Sequence, residues 1–129
     1  MSIVIGCEAR TVELKEKIKA CLQRKETFVV DVASEADGSL PEEAVVQKVW
    51  QKIADHSCDR GIVVCPASIS LAITVDRILC VGSGGNEWNR YIKAAVEHWS
   101  EIRFNEKEMK RNEKNVVRRI MEIKRQYAG

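Results

Sequence analysis

Two short segments of the chain carry residues whose side chains could do acid–base chemistry. The first centres on Cys65, which closes the apolar run 61–65 and is followed by small residues. If the amides of that turn open onto a helix N-terminus, they lower the pKa of the thiol and can stabilise an oxyanion. A thiolate there could move a proton beside a carbonyl group. Pro66 removes one amide donor from the turn, so a buried strand-end cysteine stands as the alternative interpretation.

The second segment is Glu8 with Arg10, directly after the apolar run 2–6. A carboxylate and a guanidinium at this spacing could orient a hydroxylated, phosphorylated ligand, because a guanidinium can bind phosphate through two parallel hydrogen bonds. The alternative is an acid near a helix N-terminus within a surface ion pair. The two histidines, His56 and His98, lie among charged neighbours, and we interpret both as surface or interface residues.

A glycine-rich turn, Gly-Ser-Gly-Gly at residues 82–85, resembles a phosphate cradle only loosely. It lacks the spacing of either standard nucleotide-binding motif. We therefore predict a tight turn that joins a strand to a helix.

The elements that must position these residues follow from the apolar pattern. Short runs rich in β-branched residues predict buried strands at residues 2–5, 27–32, 61–65 and 78–81. Their lack of a wet face favours a parallel sheet that is covered on both sides. Helical patterns alternate with them, the third from about Asn86, and a polar loop with an Asp37-Gly38 turn signal is expected at residues 33–40.

This alternation predicts an α/β fold, a doubly wound, Rossmann-like parallel sheet of about four to five strands in three α/β/α layers. Ligands of such sheets bind beyond the carboxyl ends of the strands, where Glu8 and Cys65 fall. We assign residues 1–104 to this domain and residues 105–129 to a C-terminal basic helix. That helix could present a solvated face, bind an anion, form part of the same domain or act as a docking arm for a dimer.

Composition excludes several classes of protein. The 129 residues suit one domain, and 21 basic against 19 acidic residues give a net charge of +2, which makes no case for nucleic-acid binding. No apolar run approaches the roughly 18 residues that cross a bilayer, so we expect no membrane association and no signal peptide. The five cysteines lack metal-ligand spacing. We expect no metal, buried reduced thiols at Cys7, Cys65 and Cys80, and a cytoplasmic protein.

The order of several segments resembles that of the type B ribose-5-phosphate isomerases, a pattern that galactose-6-phosphate isomerase subunits share. The resemblance covers nearly the whole chain, although each motif alone is degenerate. Residues 3–8 (IVIGCE) are similar to the family's I-G-x-D-H-A-G segment, residues 59–65 (DRGIVVC) to D-x-G-I-L-I-C-G-T-G, residues 77–83 (RILCVGS) to N-V-L-A-L-G-S, and residues 117–120 (VRRI) to part of R-H-x-R-R-V-x-x-I.

The resemblance implies interconversion of aldose and ketose phosphates through an enediol, without metal or another cofactor. It implies that Cys65 is the base, that Glu8 replaces the family's Asp, and that Arg118 and Arg119 bind phosphate. Ser68 ends the Pro-Ala-Ser turn that replaces the family's G-T-G oxyanion turn. With Arg10, these residues form the expected site, listed as Glu8, Arg10, Cys65, Ser68, Arg118 and Arg119.

Three departures from the family pattern weaken the catalytic expectation. Ala9 stands where the first His is expected, and Asn115 and Val116 stand where the tail's leading Arg-His is expected. Only residues 74–76 separate the segment 70–73, which begins a helix in the family, from the strand segment that begins at residue 77. A unit on the order of 20–30 residues is missing there. It carries the family's second catalytic His, and its loss would leave four family strands rather than five.

We therefore expect a sugar-phosphate isomerase-family protein with weak or no activity alone, because losing one oxyanion donor typically costs about 10²–10³ in rate. The alternatives are a non-catalytic sugar-phosphate-binding module, a partner subunit of an isomerase complex, and a structural remnant. We also expect a homodimer, since Trp50, Trp88 and Trp99 mark apolar faces in a small domain.

Overall fold

The computed structural model describes residues 1–25, 27–32, 41–104 and 113–128 of the chain. The expected loop at residues 33–40 and the first part of the C-terminal segment, residues 105–112, lie outside the described residues. In chain order the elements are β1 (Ser2–Cys7), α1 (Val12–Gln23), β2 (Phe28–Asp31), α2 (Glu42–Ala54), β3 (Arg60–Val64), β4 (Leu71–Val75), β5 (Ile78–Gly82), α3 (Arg90–Glu101) and α4 (Glu113–Tyr127).

One five-stranded sheet in the order β2-β1-β3-β5-β4 forms the centre of the molecule. Neighbouring strands are parallel from β2 to β5, with Ile5 of β1 opposite Ile62 of β3. Every residue of β3 and β5 is buried, as a sheet covered on both faces requires. The predicted α/β class and its three layers are confirmed.

The edge strand β4 corrects the expectation for residues 70–73. The resemblance places the start of a helix there, but Leu71–Val75 pairs antiparallel with β5 in a hairpin. Asp76 turns the chain with a positive φ of 55°, a conformation that Asp tolerates better than most residues. The hairpin supplies a fifth strand, so the sheet does not stop at the four family strands.

The third helix begins later than the sequence suggests. A short 3₁₀ turn, Gly84–Asn86, follows β5, and α3 starts only at Arg90. The side chain of Asn89 accepts a hydrogen bond of 3.0 Å from the amide of Ile92, which fixes this N-terminus as a cap.

Two hydrophobic clusters cover the two faces of the sheet. On one face, α1 and α3 pack against side chains such as Ile5 and Leu79. On the other, α2 and α4 pack against side chains such as Val63 and Cys80. Helix α4 therefore contributes to the core, through Val116, Val117, Ile120 and Ile123.

The tryptophans do not present the apolar faces that motivated the dimer expectation. Trp50 is 6% exposed and Trp99 is 2% exposed, both within the core of a single chain. Trp88 is partly buried against the α1–α3 cluster. The homodimer stays a prediction, but these side chains no longer argue for it.

Candidate functional site

The carboxyl ends of β1 and β3 bring two of the expected site residues to one edge of the sheet. Glu8 follows β1, and Cys65 follows β3, with Cys7 opposite Val64 in register. The hydroxyl oxygen of the fully buried Thr11 lies 3.2 Å from the carbonyl oxygen of Glu8 and 3.4 Å from that of Val64. Its hydrogen atom is shared between these two acceptors, which joins the two strand ends. The sequence-based expectation that Glu8 and Cys65 share an edge follows from the parallel pairing.

Glu8 and Arg10 interact directly. Arg10 donates to Oε1 of Glu8 from Nη2 at 2.9 Å and from Nε at 3.2 Å. The Arg10 side chain is 67% exposed, whereas that of Glu8 is 12% exposed. Arg10 also lies 3.8 Å from Oε1 of Glu42, the first residue of α2. The guanidinium thus faces solvent beside two carboxyls, where an anion could reach it.

Glu8 and Glu42 are a coupled pair of carboxyls. Burial raises the pKa of Glu8, and a hydrogen bond with Glu42 raises it further. The same hydrogen bond lowers the pKa of Glu42, against the effect of burial. Arg10 lies close to Glu8, yet its exposed charge is too well screened to reverse the rise. Of the two carboxyls, Glu8 is therefore the one that binds a proton more readily.

Lys124 brings a buried positive charge from α4 to the same edge. Its side chain is 4% exposed, and its Nζ lies 3.9 Å from Oε2 of Glu42. Together, Lys124 and Arg10 flank the carboxyl pair with two cations. The edge is a compact network of charges around the ends of β1 and β3.

Cys65 sits beneath this network, inside the core. Cys65 is only 1% exposed, and its Sγ lies 3.7 Å from the carbonyl oxygen of Val63. A hydrogen bond from Cys80 lowers the pKa of the Cys65 thiol, against the effect of burial, and Lys124 lowers it further. The pKa of Cys80 is raised well above its ordinary value for the complementary reason. The lowered pKa of Cys65 has a neighbouring thiol as its main cause, not the turn amides that the sequence suggested.

The turn after Cys65 is closed by the end of α4. The backbone amide of Ser68 donates to the carbonyl oxygen of Tyr127 at 2.9 Å, and its hydroxyl lies 3.4 Å from the same oxygen. Strand β5 also approaches closely, since a Cβ at Gly82 would lie 2.5 Å from the carbonyl oxygen of Cys65. The Ser68 amide is thus engaged within the chain and does not point to an open oxyanion site.

The two tail arginines do not join the network around Glu8. Arg119 is 54% exposed and pairs with Glu122 at 3.8 Å on the surface of α4. Arg118 lines a groove of about 550 Å³ between α2 and α4. Within the residues described, no hydrogen bond or ion pair links either arginine to Glu8 or Cys65.

Sequence reasoning missed Glu42, Cys80 and Lys124. A signal for Lys124 exists, because it follows Val116, Ile120 and Ile123 on the apolar face of a helix, where a lysine is unusual. Glu42 looks like an ordinary acid in the first turn of a helix, and Cys80 like an ordinary core residue. Nothing in the sequence pairs these residues with Glu8 or Cys65.

Neither histidine joins the network. His98 is exposed on α3, and His56 is exposed after the end of α2, at the opposite edge of the sheet. Across residues 1–25, 27–32, 41–104 and 113–128, no group of three or more His, Cys, Asp or Glu residues could hold a metal ion. No helix in those ranges is long and apolar enough to span a membrane.

Comparison with known proteins gives consistent matches. The model of the family described as Ribose/Galactose Isomerase matches residues 3–100. Ribose-5-P isomerase B of Listeria innocua is 31% identical over 78 residues, which cover 60% of this chain and 53% of that protein. The match thus spans about half the length of this curated relative.

Solved structures of type B ribose-5-phosphate isomerases have a similar fold. The Clostridium thermocellum structure matches with a TM-score of 0.62 at 21% identity, over 99% of this chain and 100% of that one. The Trypanosoma cruzi structure matches with a TM-score of 0.62 at 13% identity, over 98% and 97%. At these identities the likeness concerns the fold alone.

Proposed function

This chain belongs to the ribose/galactose isomerase family, and from that premise we propose that it binds a pentose or hexose phosphate at the carboxyl ends of β1 and β3. Arg10 supplies an exposed guanidinium for the phosphate or a hydroxyl, and the Glu8 carboxyl beside it supplies a hydrogen-bonding group for a sugar hydroxyl. Lys124 adds a second positive charge beneath them. This cluster of two cations and two carboxyls is what supports a polar, anionic ligand here.

We infer that turnover by the isolated chain is weak or absent, and one observation carries this inference. The Cys65 thiol is 1% exposed, beneath the turn that Tyr127 closes. Isomerisation needs a base within hydrogen-bond reach of the carbon-bound proton and free donors for the enediolate oxygen. While α4 packs against the turn, the buried Cys65 thiol cannot act as that base, and the Ser68 amide is not free to donate to the enediolate oxygen. The same burial favours a second candidate, a non-catalytic sugar-phosphate-binding subunit, either as a homodimer or beside a complete isomerase.

Turnover is the first test of this proposal. With ribose-5-phosphate or galactose-6-phosphate as substrate, we expect a rate at least about 10³-fold lower than that of a complete family member. Losing one oxyanion donor alone can lower the rate by about that factor. Cys65→Ala should leave any residual rate unchanged. A rate near that of a complete member that Cys65→Ala abolishes would contradict the closed site.

Binding is measured separately, by calorimetry and thermal shift with the same sugar phosphates. A ligand at 100 times its dissociation constant stabilises the fold by about 2.7 kcal/mol. Arg10→Ala should weaken binding, and since the side chain is 67% exposed the variant should fold normally. Lys93→Ala, an exposed cation on α3, is the matched control and should bind as the parent does. If Arg119→Ala weakens binding and Arg10→Ala does not, the phosphate lies on α4 instead.

A further inference from the structure

The outer side of strand β4 is an open edge of the sheet. In the order β2-β1-β3-β5-β4, β4 is the last strand and pairs with β5 alone. Hydrogen-bonded and non-hydrogen-bonded pairs alternate along an antiparallel ladder, and in a two-residue hairpin the residues that flank the turn, here Val75 and Ile78, form a hydrogen-bonded pair. The backbone groups of Val75 and Ile73 therefore point toward β5. Those of Ala72 and Thr74 point away from it, to the open edge.

The outward backbone groups of Ala72 and Thr74 are left without backbone partners in the described chain. Over residues 1–25, 27–32, 41–104 and 113–128, no backbone–backbone hydrogen bond joins either residue to an element other than β5. Natural proteins protect such an edge with a charged residue, a proline or a bulge, because it is a template for another strand. Residues 71–75 (LAITV) contain no charge and no proline, and their register with β5 is continuous. This edge is therefore open to pairing.

The sequence of β4 is complementary to itself in an antiparallel register. When Ile73 lies opposite Ile73 of a second copy, all 5 residues of the strand overlap. Ala72 then lies opposite Thr74 of the second copy, and their outward amides and carbonyls exchange a pair of hydrogen bonds, which the two-fold axis repeats. Ile73 itself falls in a non-hydrogen-bonded pair, where apolar side chains approach most closely.

Helix α3 presents an uncharged side toward this edge. It contacts β4 and β5, and its other neighbour is α1. Glu97 marks the α1 side, because it pairs with Lys25 at the end of that helix. Tyr91 lies roughly 120° around the helix from Glu97, on the side toward the open edge, and Ala95 follows it one turn later. Tyr91 is 54% exposed, so a second copy at the edge would cover an apolar ring.

Helix α4, on the other face of β4, brings both signs of charge to the same edge. It contacts α2 and β4, and Val117 and Arg118 line its groove with α2. Arg119 lies on the side away from that groove and pairs with Glu122 at 3.8 Å. Two copies related by a two-fold axis would therefore meet with mixed charges and without a field of one sign, which would repel an identical surface.

The other edge strand, β2, is less suited to pairing with itself. It ends at Asp31, whose carboxylate lies 2.7 Å from Nζ of Lys15 and 3.0 Å from Nζ of Lys19. A charge at a strand edge is one of the devices that oppose pairing. Of the two edges, only that of β4 combines open backbone groups with an uncharged strand.

We propose that the β4 strands of two copies of this chain pair antiparallel across a two-fold axis, so that the two sheets become one continuous sheet. A second copy fits better than an unrelated strand, because the self-complementary register uses every outward backbone group of Ala72 and Thr74. The proposal requires no bound ligand and does not rest on the proposed function.

The test begins with sedimentation velocity and amide hydrogen exchange of the full chain. We expect twice the chain mass of 14.6 kDa at about 50 µM, and dissociation on dilution below about 1 µM, as a micromolar dissociation constant requires. The Ala72 amide should be protected from exchange in the dimer and should lose at least about tenfold of that protection on dilution. The Ile73 amide points toward β5 and is the internal control, protected at both concentrations.

Two substitutions at the exposed Thr74 should weaken the dimer and spare the fold. Thr74→Pro removes the outward amide, a change that edge strands tolerate, and should raise the dissociation constant at least about tenfold. Thr74→Lys keeps the amide, places like charges close together across the axis and should have a similar effect. Thr74→Val keeps the amide and the branched side chain and should dimerise as the parent does. Phe28→Lys, at a position 70% exposed on β2, should also leave the dimer unchanged.

Three results would overturn the proposal. The first is a monomeric parent at about 50 µM, well above the dissociation constant expected. The second is a dimer that withstands both Thr74→Pro and Thr74→Lys, or that Phe28→Lys dissociates, because the interface would then lie elsewhere. The third is a dimer whose Ala72 amide exchanges without protection. If Thr74→Pro also exposes the Ile73 amide, the hairpin has opened, and Thr74→Lys decides. Since no sugar phosphate is present, failure here leaves the proposed function standing.

Discussion

The carboxyl pair of Glu8 and Glu42 should give the two residues opposite effects on stability. Burial and the hydrogen bond with Glu42 raise the pKa of Glu8 above its ordinary value of 4.5. A raised pKa means that this group stabilises the fold below about pH 4.5 and that its contribution is lost as pH rises through the folded pKa. Glu8→Gln keeps the neutral form, so it should raise the free energy of unfolding at pH 7 by about 1 kcal/mol.

The matched variant is Glu42→Gln. The pKa of Glu42 is lowered in the fold, so its contribution is present above pH 4.5 and is lost as pH falls through the folded pKa. Its removal also leaves the buried Lys124 without its carboxylate partner. Urea unfolding at pH 7 and at successively lower pH should show the Glu42→Gln variant less stable than the parent at pH 7. Both variants should approach the parent only as pH falls through the folded pKa values of the two carboxyls. A Glu8→Gln variant that is less stable at pH 7 would contradict the raised pKa of Glu8.

The sequence predicted which site residues lie at one edge of the sheet, but not which side chains contact them there. Strand ends in a parallel sheet meet at one edge, so Glu8 and Cys65 could be placed together from the pattern alone. Lys124 reaches Glu42 only because α4 folds back over the sheet beside α2. Such contacts between distant elements depend on packing, which local patterns do not encode.

Among the elements, the end of α2 carries a residue in an unfavourable conformation. His56 has a positive φ of 65°, directly after the C-cap residue Asp55, and its amide donates to the carbonyl oxygen of Ile53 at 3.1 Å. This is the position where helices usually place glycine. The left-handed conformation costs a non-glycine residue about 1–2 kcal/mol.

His56→Gly should therefore stabilise the protein by about 0.5–1 kcal/mol, after subtracting the greater freedom of glycine in the unfolded chain. The matched control is His98→Gly, an exposed position inside α3, where glycine should destabilise by about 1 kcal/mol. Thermal and urea unfolding measure both changes. A His56→Gly variant that is as destabilised as His98→Gly would mean that the His56 side chain makes a stabilising contact.

The hairpin of β4 and β5 shows where element prediction failed. Leu71, Ile73 and Val75 alternate with Ala72 and Thr74, which is a strand pattern of period two. The turn lacks the Asn-Gly or Asp-Gly pair that marks most short hairpins, since Asp76 is followed by Arg77. The resemblance to a longer family member then favoured a helix start, and local periodicity would have been the better guide.

For the whole molecule, the sequence predicted the layers but left the place of the C-terminal helix open. Alternating apolar strands and amphipathic helices are sufficient for a doubly wound sheet, because each element must bury one face. Because α4 is highly charged, the sequence did not decide whether its apolar stripe packs in the core or whether the helix is a solvated or docking element. In the structure that stripe closes the cluster beside α2, over β3 and β5.

If α4 is part of the core, substitutions at two neighbouring positions on it should have very different effects on the free energy of unfolding. Ile120 is fully buried, so Ile120→Ala should lower the free energy of unfolding by about 2–5 kcal/mol through lost burial and a cavity. Arg119 is 54% exposed and pairs only with Glu122 in the part of the chain described, so Arg119→Ala should cost no more than about 0.5 kcal/mol. Urea unfolding followed by circular dichroism measures both.

The comparison also decides between a core helix and a detachable arm. A core helix unfolds together with the sheet, so Ile120→Ala should shift one cooperative transition without adding a second. If Ile120→Ala instead leaves the main transition in place, α4 separates from the domain at little cost. Its departure would free the Ser68 amide from Tyr127 and uncover the face above Cys65. In that case the closed site, and the weak turnover inferred from it, would no longer follow.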